Sequence, residues 1–101
     1  MIQTFNAFTT VSGAVGAAAT PITAAAFGIT EAQMLISNFA YITPMTGDVI
    51  LTWSGTAPTS TKGHYLMQNA SIEIMGNTNI RNLQFIRVGG ADVTVSITLE
   101  G

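Results

Sequence analysis

The chain has 101 residues, of which only 8% are charged, with three basic and five acidic residues and no cysteine. So few basic residues cannot supply the many phosphate contacts on which nucleic-acid affinity depends, and without cysteine there is no disulfide and no thiolate metal site. Because 48% of the residues are apolar, the composition predicts one small folded domain and not a disordered chain, and a surface this poor in charge favours association with other subunits.

Residues 1–28 are predicted to form an extended N-terminal arm. Residues 2–11 alternate loosely, which indicates a strand or an extended segment, and residues 12–28 are rich in alanine and glycine, with Pro21 in the middle. Neither a signal peptide nor a transmembrane helix fits, because no basic residue precedes this stretch and Pro21 and several glycines interrupt it. We expect the arm to lie across a neighbouring molecule, outside a domain of residues 29–101, and we expect no membrane partner.

The first half of residues 29–101 shows short strand patterns separated by turns. Thr30 can cap a single helical turn over residues 29–33. Residues 34–43 follow as a strand with apolar residues on both faces, which suggests a strand covered on both sides. After a polar turn, Val49, Leu51 and Trp53 alternate inward on the next strand.

The second half of this domain repeats the pattern. Residues 70–75 and 83–88 are predicted strands with a turn at residues 76–79. The last strand alternates most regularly, with one face buried that is made of Ala91, Val93, Val95, Ile97 and Leu99. About seven or eight short strands without sustained helical periodicity predict an all-β fold. We expect a single small antiparallel β-sandwich, of jelly-roll or immunoglobulin-like type, with an extended N-terminal segment.

The most distinctive stretch is the loop over residues 53–65. Its glycines allow backbone angles that a Cβ would penalise, its proline fixes its own φ angle, and its hydroxyl side chains can bond nearby backbone groups. The pattern therefore predicts a shaped loop that presents a surface. The residues predicted to shape this loop or to interact through it are Trp53, Gly55, Thr56, Pro58, Thr59, Gly63 and His64.

Nothing in the loop predicts catalysis. His64 is the only histidine and no cluster of carboxylates lies near it in sequence, so a hydrogen bond that fixes the loop is favoured over a metal site. Ser60, Asp48 and Asp92 could in principle complete a Ser-His-Asp arrangement, but no nucleophile-elbow pattern is present. We expect no enzyme activity, no metal and no cofactor.

Arg87 is the remaining candidate site residue. It lies in an apolar strand between Ile86 and Val88, where its guanidinium group needs a carboxylate or carbonyl partner. Pairing within the chain, with one of three carboxylates, is favoured over a contact with another subunit. The three carboxylates are those of Asp92, Asp48 and Glu73.

Three motifs follow one another between residues 53 and 87, ahead of the alternating last strand. They are Trp53-x-Gly55-Thr56-Ala57-Pro58-Thr59, Gly63-His64-x-Leu66 and Ile80-x-Asn82-x-x-Phe85-Ile86-Arg87. Taken together, over about residues 30 to 100, the chain resembles a family of small virion proteins of tailed bacteriophages. In that family an aspartate is usual at the position where this chain has Ser54.

The resemblance implies a structural component of a phage particle, such as a head decoration or cement protein, with many copies on a symmetric shell. The partners that it implies are the major capsid protein or other virion proteins. Copies of the chain itself are expected as further partners, with three-fold symmetry favoured. The expected location is the capsid surface of the virion, after synthesis in the host cytoplasm.

A carbohydrate-binding module of a tail fibre or host-surface adhesin is the alternative function. Trp53 and Tyr65 flank the loop, and aromatic side chains beside a polar loop can stack on sugar rings. For Trp53 a place in the core is the favoured interpretation.

Overall fold

The structure, a computed structural model, describes residues 6–101, which contain eight strands and two short helices. The strands are β1 (Ala7–Val15), β2 (Thr20–Pro21), β3 (Phe39–Pro44), β4 (Val49–Thr52), β5 (His64–Leu66), β6 (Ile72–Met75), β7 (Gln84–Arg87) and β8 (Val93–Glu100). The helices are α1 (Glu31–Ile36), between β2 and β3, and α2 (Asn77–Arg81), between β6 and β7.

The strands form two four-stranded antiparallel sheets whose order is that of an eight-stranded jelly roll. Sheet A has the order β1-β8-β3-β6, and sheet B has the order β2-β7-β4-β5. The first strand therefore pairs with the eighth, the second with the seventh, the third with the sixth and the fourth with the fifth, so the chain is wound as one nested hairpin. The predicted all-β sandwich is confirmed, and the strand order matches the jelly-roll alternative.

The core lies between the two sheets and is built from alternate residues of their strands. The four apolar residues of β8 are at most 3% exposed, while the residues between them face outward. Phe85 of β7 is fully buried, and its ring centroid lies 5.7 Å from that of Phe27. Removing each such side chain from water contributes about 1.5–3 kcal/mol, so this layer is the main source of stability.

Residues 7–28, predicted as part of an arm outside the domain, belong to the sandwich. β1 pairs with β8 along its length, and β2 pairs with β7. Val15, Ile22 and Phe27 are at most 2% exposed and lie in the core cluster. The boundary expected at residue 28 is therefore corrected. β1 and β2 are extended, as predicted, but residues 22–28 form turns, and the segment buries its apolar side chains within its own chain. Residues 1–5, the rest of the predicted arm, lie outside the described residues.

The helical turn predicted at Thr30 is confirmed and is longer than expected. Thr30 Oγ1 accepts the N–H of Gln33 (3.1 Å), and Gln33 Oε1 accepts the N–H of Thr30 (3.0 Å), which is a capping box. The helix continues to Ile36, so β3 begins at Phe39 and not near residue 34. Tyr41 on β3 is 43% exposed, so the expectation of a strand covered on both sides does not hold there.

The strand that is buried on both faces is β4. Val49 and Leu51 face the core and are fully buried, and the alternate residues Ile50 and Thr52 are only 7% and 6% exposed. β4 lies between β7 and β5 in sheet B. The outer side of sheet B is therefore covered locally by other parts of the same chain.

Helix α2 occupies the position where the sequence predicts a turn. Asn77 Nδ2 donates to Met34 O (2.8 Å) and to Ser37 O (2.7 Å), which attaches the start of α2 to the end of α1. Ile80 is fully buried. These tertiary contacts, and not local preference, explain why turn-forming residues adopt a helical conformation here.

Candidate functional site

The predicted loop is the tip of the nested hairpin, and it joins β4 to β5. Its end is a tight turn in which the N–H of Thr59 donates to Lys62 O (2.9 Å) and the N–H of Lys62 donates to Thr59 O (3.3 Å). Thr59 Oγ1 also accepts the N–H of Thr61 (3.3 Å). Backbone and hydroxyl hydrogen bonds thus hold the loop in a defined shape.

The first half of the loop is attached to the end of β4. The Thr52 hydroxyl donates to Thr56 O (2.5 Å), and Pro58 is buried although it lies in a loop. Gly55 and Gly63 have φ angles of 90° and 130°, in the region that favours glycine because it has no Cβ. Gly55, Pro58 and Gly63 therefore act mainly on the conformation of the backbone.

Trp53 and His64 stack at the base of the loop. Their ring centroids are 4.6 Å apart and the ring planes are inclined by 18°. Trp53 is partly buried against the core cluster, and His64 is exposed. A flat aromatic pair beside hydroxyl groups and one ammonium group can stack on a ligand and form hydrogen bonds with it. The two rings line an open cleft of about 350 Å³ together with Thr52, Ser54, Thr56, Lys62 and Gly63.

Arg87 does not belong to this cluster. On β7 it lies opposite Val49, the first residue of β4, whereas the loop follows Thr52, the last one. Arg87 Nη1 lies 2.7 Å from Asp92 Oδ1, so the predicted pairing within the chain is confirmed, with Asp92 as the partner. Both side chains are partly exposed, and such surface ion pairs contribute about 0–1 kcal/mol.

Tyr65 lies on the outer face of sheet B, away from Trp53. Its partner in the β4–β5 ladder is Ile50, whereas His64, which stacks on Trp53, lies opposite Leu51. Because successive residues of a strand point to opposite faces, Tyr65 and His64 face different sides of the sheet. Trp53 and Tyr65, considered together as a sugar platform, therefore do not share a surface.

The Tyr65 hydroxyl instead donates to Asp48, in a cluster that the sequence did not predict. The N–H of Gln68 donates to Asp48 Oδ1 (2.7 Å), and Gln68 Nε2 donates to Met45 O (3.0 Å). The bonds from Tyr65 and then from Gln68 lower the pKa of Asp48 below its ordinary value. The same bond to a carboxylate raises the pKa of Tyr65. The cluster fastens the turn before β4 to the segment after β5.

Replacing Tyr65 with Phe is expected to raise the pKa of Asp48 towards its ordinary value, because the carboxylate loses its first hydrogen-bond donor. In the wild type this bond stabilises the fold between about pH 4 and pH 10. The stabilisation is lost as the pH falls through the lowered pKa of Asp48, and also as the pH rises through the raised pKa of Tyr65. NMR titration of the Asp48 carboxyl carbon measures the shift.

The matched control for this variant is Tyr41→Phe. Tyr41 is also exposed but lies on β3 in sheet A, the other sheet from Asp48. Its substitution should leave the pKa of Asp48 unchanged. An Asp48 titration that is the same in Tyr65→Phe as in the wild type would show that the hydrogen bond is not formed in solution.

Within residues 6–101, no three or more His, Cys, Asp or Glu side chains are grouped so as to hold a metal ion. Neither α1 nor α2, the helices described in those residues, is long and apolar enough to span a membrane.

Comparison of the chain with protein-family models, with curated proteins and with solved structures finds no match. The fold and the site define a small all-β jelly-roll protein with a shaped loop at the tip of its nested hairpin. The resemblance to phage virion proteins, which was inferred from the motifs of residues 53–87, stays a prediction, because no match identifies such a protein.

Proposed function

We propose that the chain is a structural protein of a tailed-phage virion, a decoration or cement protein on the capsid surface. It would be made in the host cytoplasm and would contact the major capsid protein or other virion proteins, and also copies of itself, for which three-fold symmetry is the expected arrangement. The motifs and the jelly-roll strand order support this, because jelly rolls occur in viral capsid domains. They also occur in lectin domains, so the molecular surface has to distinguish the two classes.

The observation that carries the proposal is the amount of exposed apolar surface on a chain with few charges. The whole chain has three basic and five acidic residues. A small protein with this combination is prone to associate, because few charges keep its apolar side chains apart. Among residues 6–101, eight large apolar side chains are 43–64% exposed: Leu35, Ile36, Tyr41, Met45, Tyr65, Met67, Met75 and Val88.

Three of these side chains, Leu35, Ile36 and Met75, form what we call the α1–β6 patch. Leu35 and Ile36 end α1, and Asn77, two residues after Met75, bonds two carbonyl groups at that end of the helix. Burial of each side chain against a coat subunit would contribute up to about 1.5–3 kcal/mol, from which the entropy of association is subtracted. Repetition over a shell combines many modest contacts into firm attachment.

Quantitative mass spectrometry of purified particles tests the proposal. The wild-type chain is expected in many copies per particle. Leu35→Lys should lower its occupancy about tenfold, because the α1–β6 patch would then bury a charge at the interface. The matched control is Ala18→Lys, which adds the same charge at an exposed position between β1 and β2, outside the α1–β6 patch, and should leave occupancy near the wild-type value.

The possible outcomes test the role in the virion and the contact surface separately. Absence of the wild-type chain from particles would contradict a role in the virion. Equal occupancy of the wild type and both variants would exclude the α1–β6 patch as the contact. A density map of intact particles then locates the jelly roll on the head, the neck or the tail.

A carbohydrate-binding module remains the second candidate, and one observation favours it. The stacked Trp53 and His64 rings line a cleft of about 350 Å³ beside Lys62 and several hydroxyl groups. Binding on a glycan array that is lost in Trp53→Ala would support this function. Tyr65→Ala is the control, because Tyr65 faces the other side of the sheet and bonds Asp48.

A further inference from the structure

Each sheet has two edge strands, and three of these four edges carry features that hinder pairing with another strand. β2 has two residues, one of them Pro21. β5 has three residues and follows Lys62, and β6 has four residues, including Glu73. Short length, proline and charge are the usual means by which a sheet edge is protected from other chains. β1, the fourth edge, is different.

β1 has nine residues, none of them charged and none of them proline. It is the longest strand in the part of the chain that the structure describes, where it pairs with β8 alone. Its ladder is regular from Thr9 to Val15, after a register shift at its start. The N–H and C=O groups on its other side therefore have no strand partner among residues 6–101. An edge of this length and composition is a template for a further strand.

The side chains of β1 favour a neighbour of the same kind. Thr10, Ser12 and Ala14 are exposed, and the Thr10 hydroxyl already bonds the Thr98 hydroxyl across the outer face of sheet A (3.0 Å). Cross-strand threonine and serine pairs stabilise a sheet, whereas like charges placed opposite one another destabilise it. Because β1 is uncharged, two copies can align in any antiparallel register without bringing like charges of these strands together.

We propose that β1 is the interface with a second copy of this chain. Two β1 strands pair antiparallel about a two-fold axis and join two copies of sheet A into one continuous sheet of eight strands. The same edge serves both partners, as a two-fold interface requires. A second β1 also offers a partner strand of equal length, which the short edges β2, β5 and β6 do not.

This pairing goes beyond the proposed function, which names copies of the chain as partners but no surface between them, and it does not depend on a virion. A two-fold contact alone gives a dimer, and a two-fold contact combined with a three-fold contact gives a hexamer. A trimer as the final assembly is incompatible with the proposal, because an odd number of copies leaves one β1 strand unpaired.

Sedimentation equilibrium of the purified chain over a concentration series tests the pairing. The wild type is expected to form a dimer, or a hexamer. Ser12→Lys places a charge on the edge strand at an exposed position and should weaken the two-fold contact about fivefold. Thr94→Lys, the matched control, adds the same charge at an exposed position of β8, one strand in from the edge, and should leave the association constant unchanged.

Hydrogen exchange of the wild type gives a second readout that needs no variant. Edge amides of β1 should exchange more slowly as the protein concentration rises. The proposal is overturned if the wild type stays monomeric at every concentration, if it stops at a trimer, if Ser12→Lys associates as tightly as the wild type, or if β1 exchange is independent of concentration. If the wild-type chain pairs through β1 but does not bind particles, only the proposed function is contradicted.

Discussion

A variant that lacks residues 1–28 is expected not to fold, because the deletion removes β1 and β2 from the two sheets. Val15, Ile22 and Phe27, which are lost with them, are almost completely buried. At about 1.5–3 kcal/mol each, these side chains account for stability comparable to the roughly 5–15 kcal/mol of a whole small domain. Chemical denaturation followed by circular dichroism should then show no cooperative transition.

Point variants separate the loss of core from the loss of strands in this segment. Phe27→Ala should lower the free energy of unfolding by about 3–5 kcal/mol and still leave a cooperative transition. Ala25→Ser, at an exposed position of the same segment, should change it by less than about 0.5 kcal/mol. A cooperative transition in the deletion variant would mean that residues 7–28 are a dispensable appendage and that Val15, Ile22 and Phe27 are not needed for the core.

Replacing Gly63 with Ala is expected to lower the free energy of unfolding by about 3 kcal/mol or more. Its φ angle is 130°, which residues with a Cβ rarely adopt. The new Cβ would also lie 2.5 Å from Ile50 Cγ2 and 3.1 Å from Leu51 O, and both residues are buried in β4. Denaturant unfolding measures the loss. Trp53 fluorescence should change with it, because His64, the next residue, stacks on that ring.

The control for this substitution is Gly55→Ala in the same loop. Gly55 also has a positive φ angle, 90°, but no atom lies within 4 Å of the position that its Cβ would occupy. Only the backbone strain remains, about 1–2 kcal/mol. Equal destabilisation by the two substitutions would show that the contact between Gly63 and β4 contributes nothing.

Local patterns in the sequence predicted those elements whose residues alternate or carry a capping signal. The alternation predicted for the last strand holds from Val93 to Leu99 on β8, but Ala91, which was predicted to be buried with them, is exposed and precedes the strand. Thr30 caps α1, as predicted. Residues 12–28 were misinterpreted because alanine and glycine give little periodic signal. Gly13 illustrates the reason: a Cβ there would lie 2.5 Å from Phe27 Cδ1, so the glycine reflects a contact between segments that no local pattern reveals.

The sequence predicted the backbone shape of the candidate site, but not the face of sheet B on which each aromatic side chain lies. Glycine and hydroxyl residues indicated a shaped loop, and the need of Arg87 for a carboxylate was met by Asp92. Which side of sheet B each aromatic residue occupies depends on the register between β4 and β5. The bonds from Tyr65 and Gln68 to Asp48 join positions 17 and 20 residues apart, which only the folded chain brings together.

The nested winding of the strands also sets an order of events on the ribosome. β4 and β5 can meet soon after residue 66 has emerged, but β1 must wait for β8, which ends at Glu100. Pairings between such distant segments make folding slow, and exposed strand edges of incomplete chains invite contacts with other molecules. A nascent chain therefore carries its least protected strand without a partner until β8 has been synthesised.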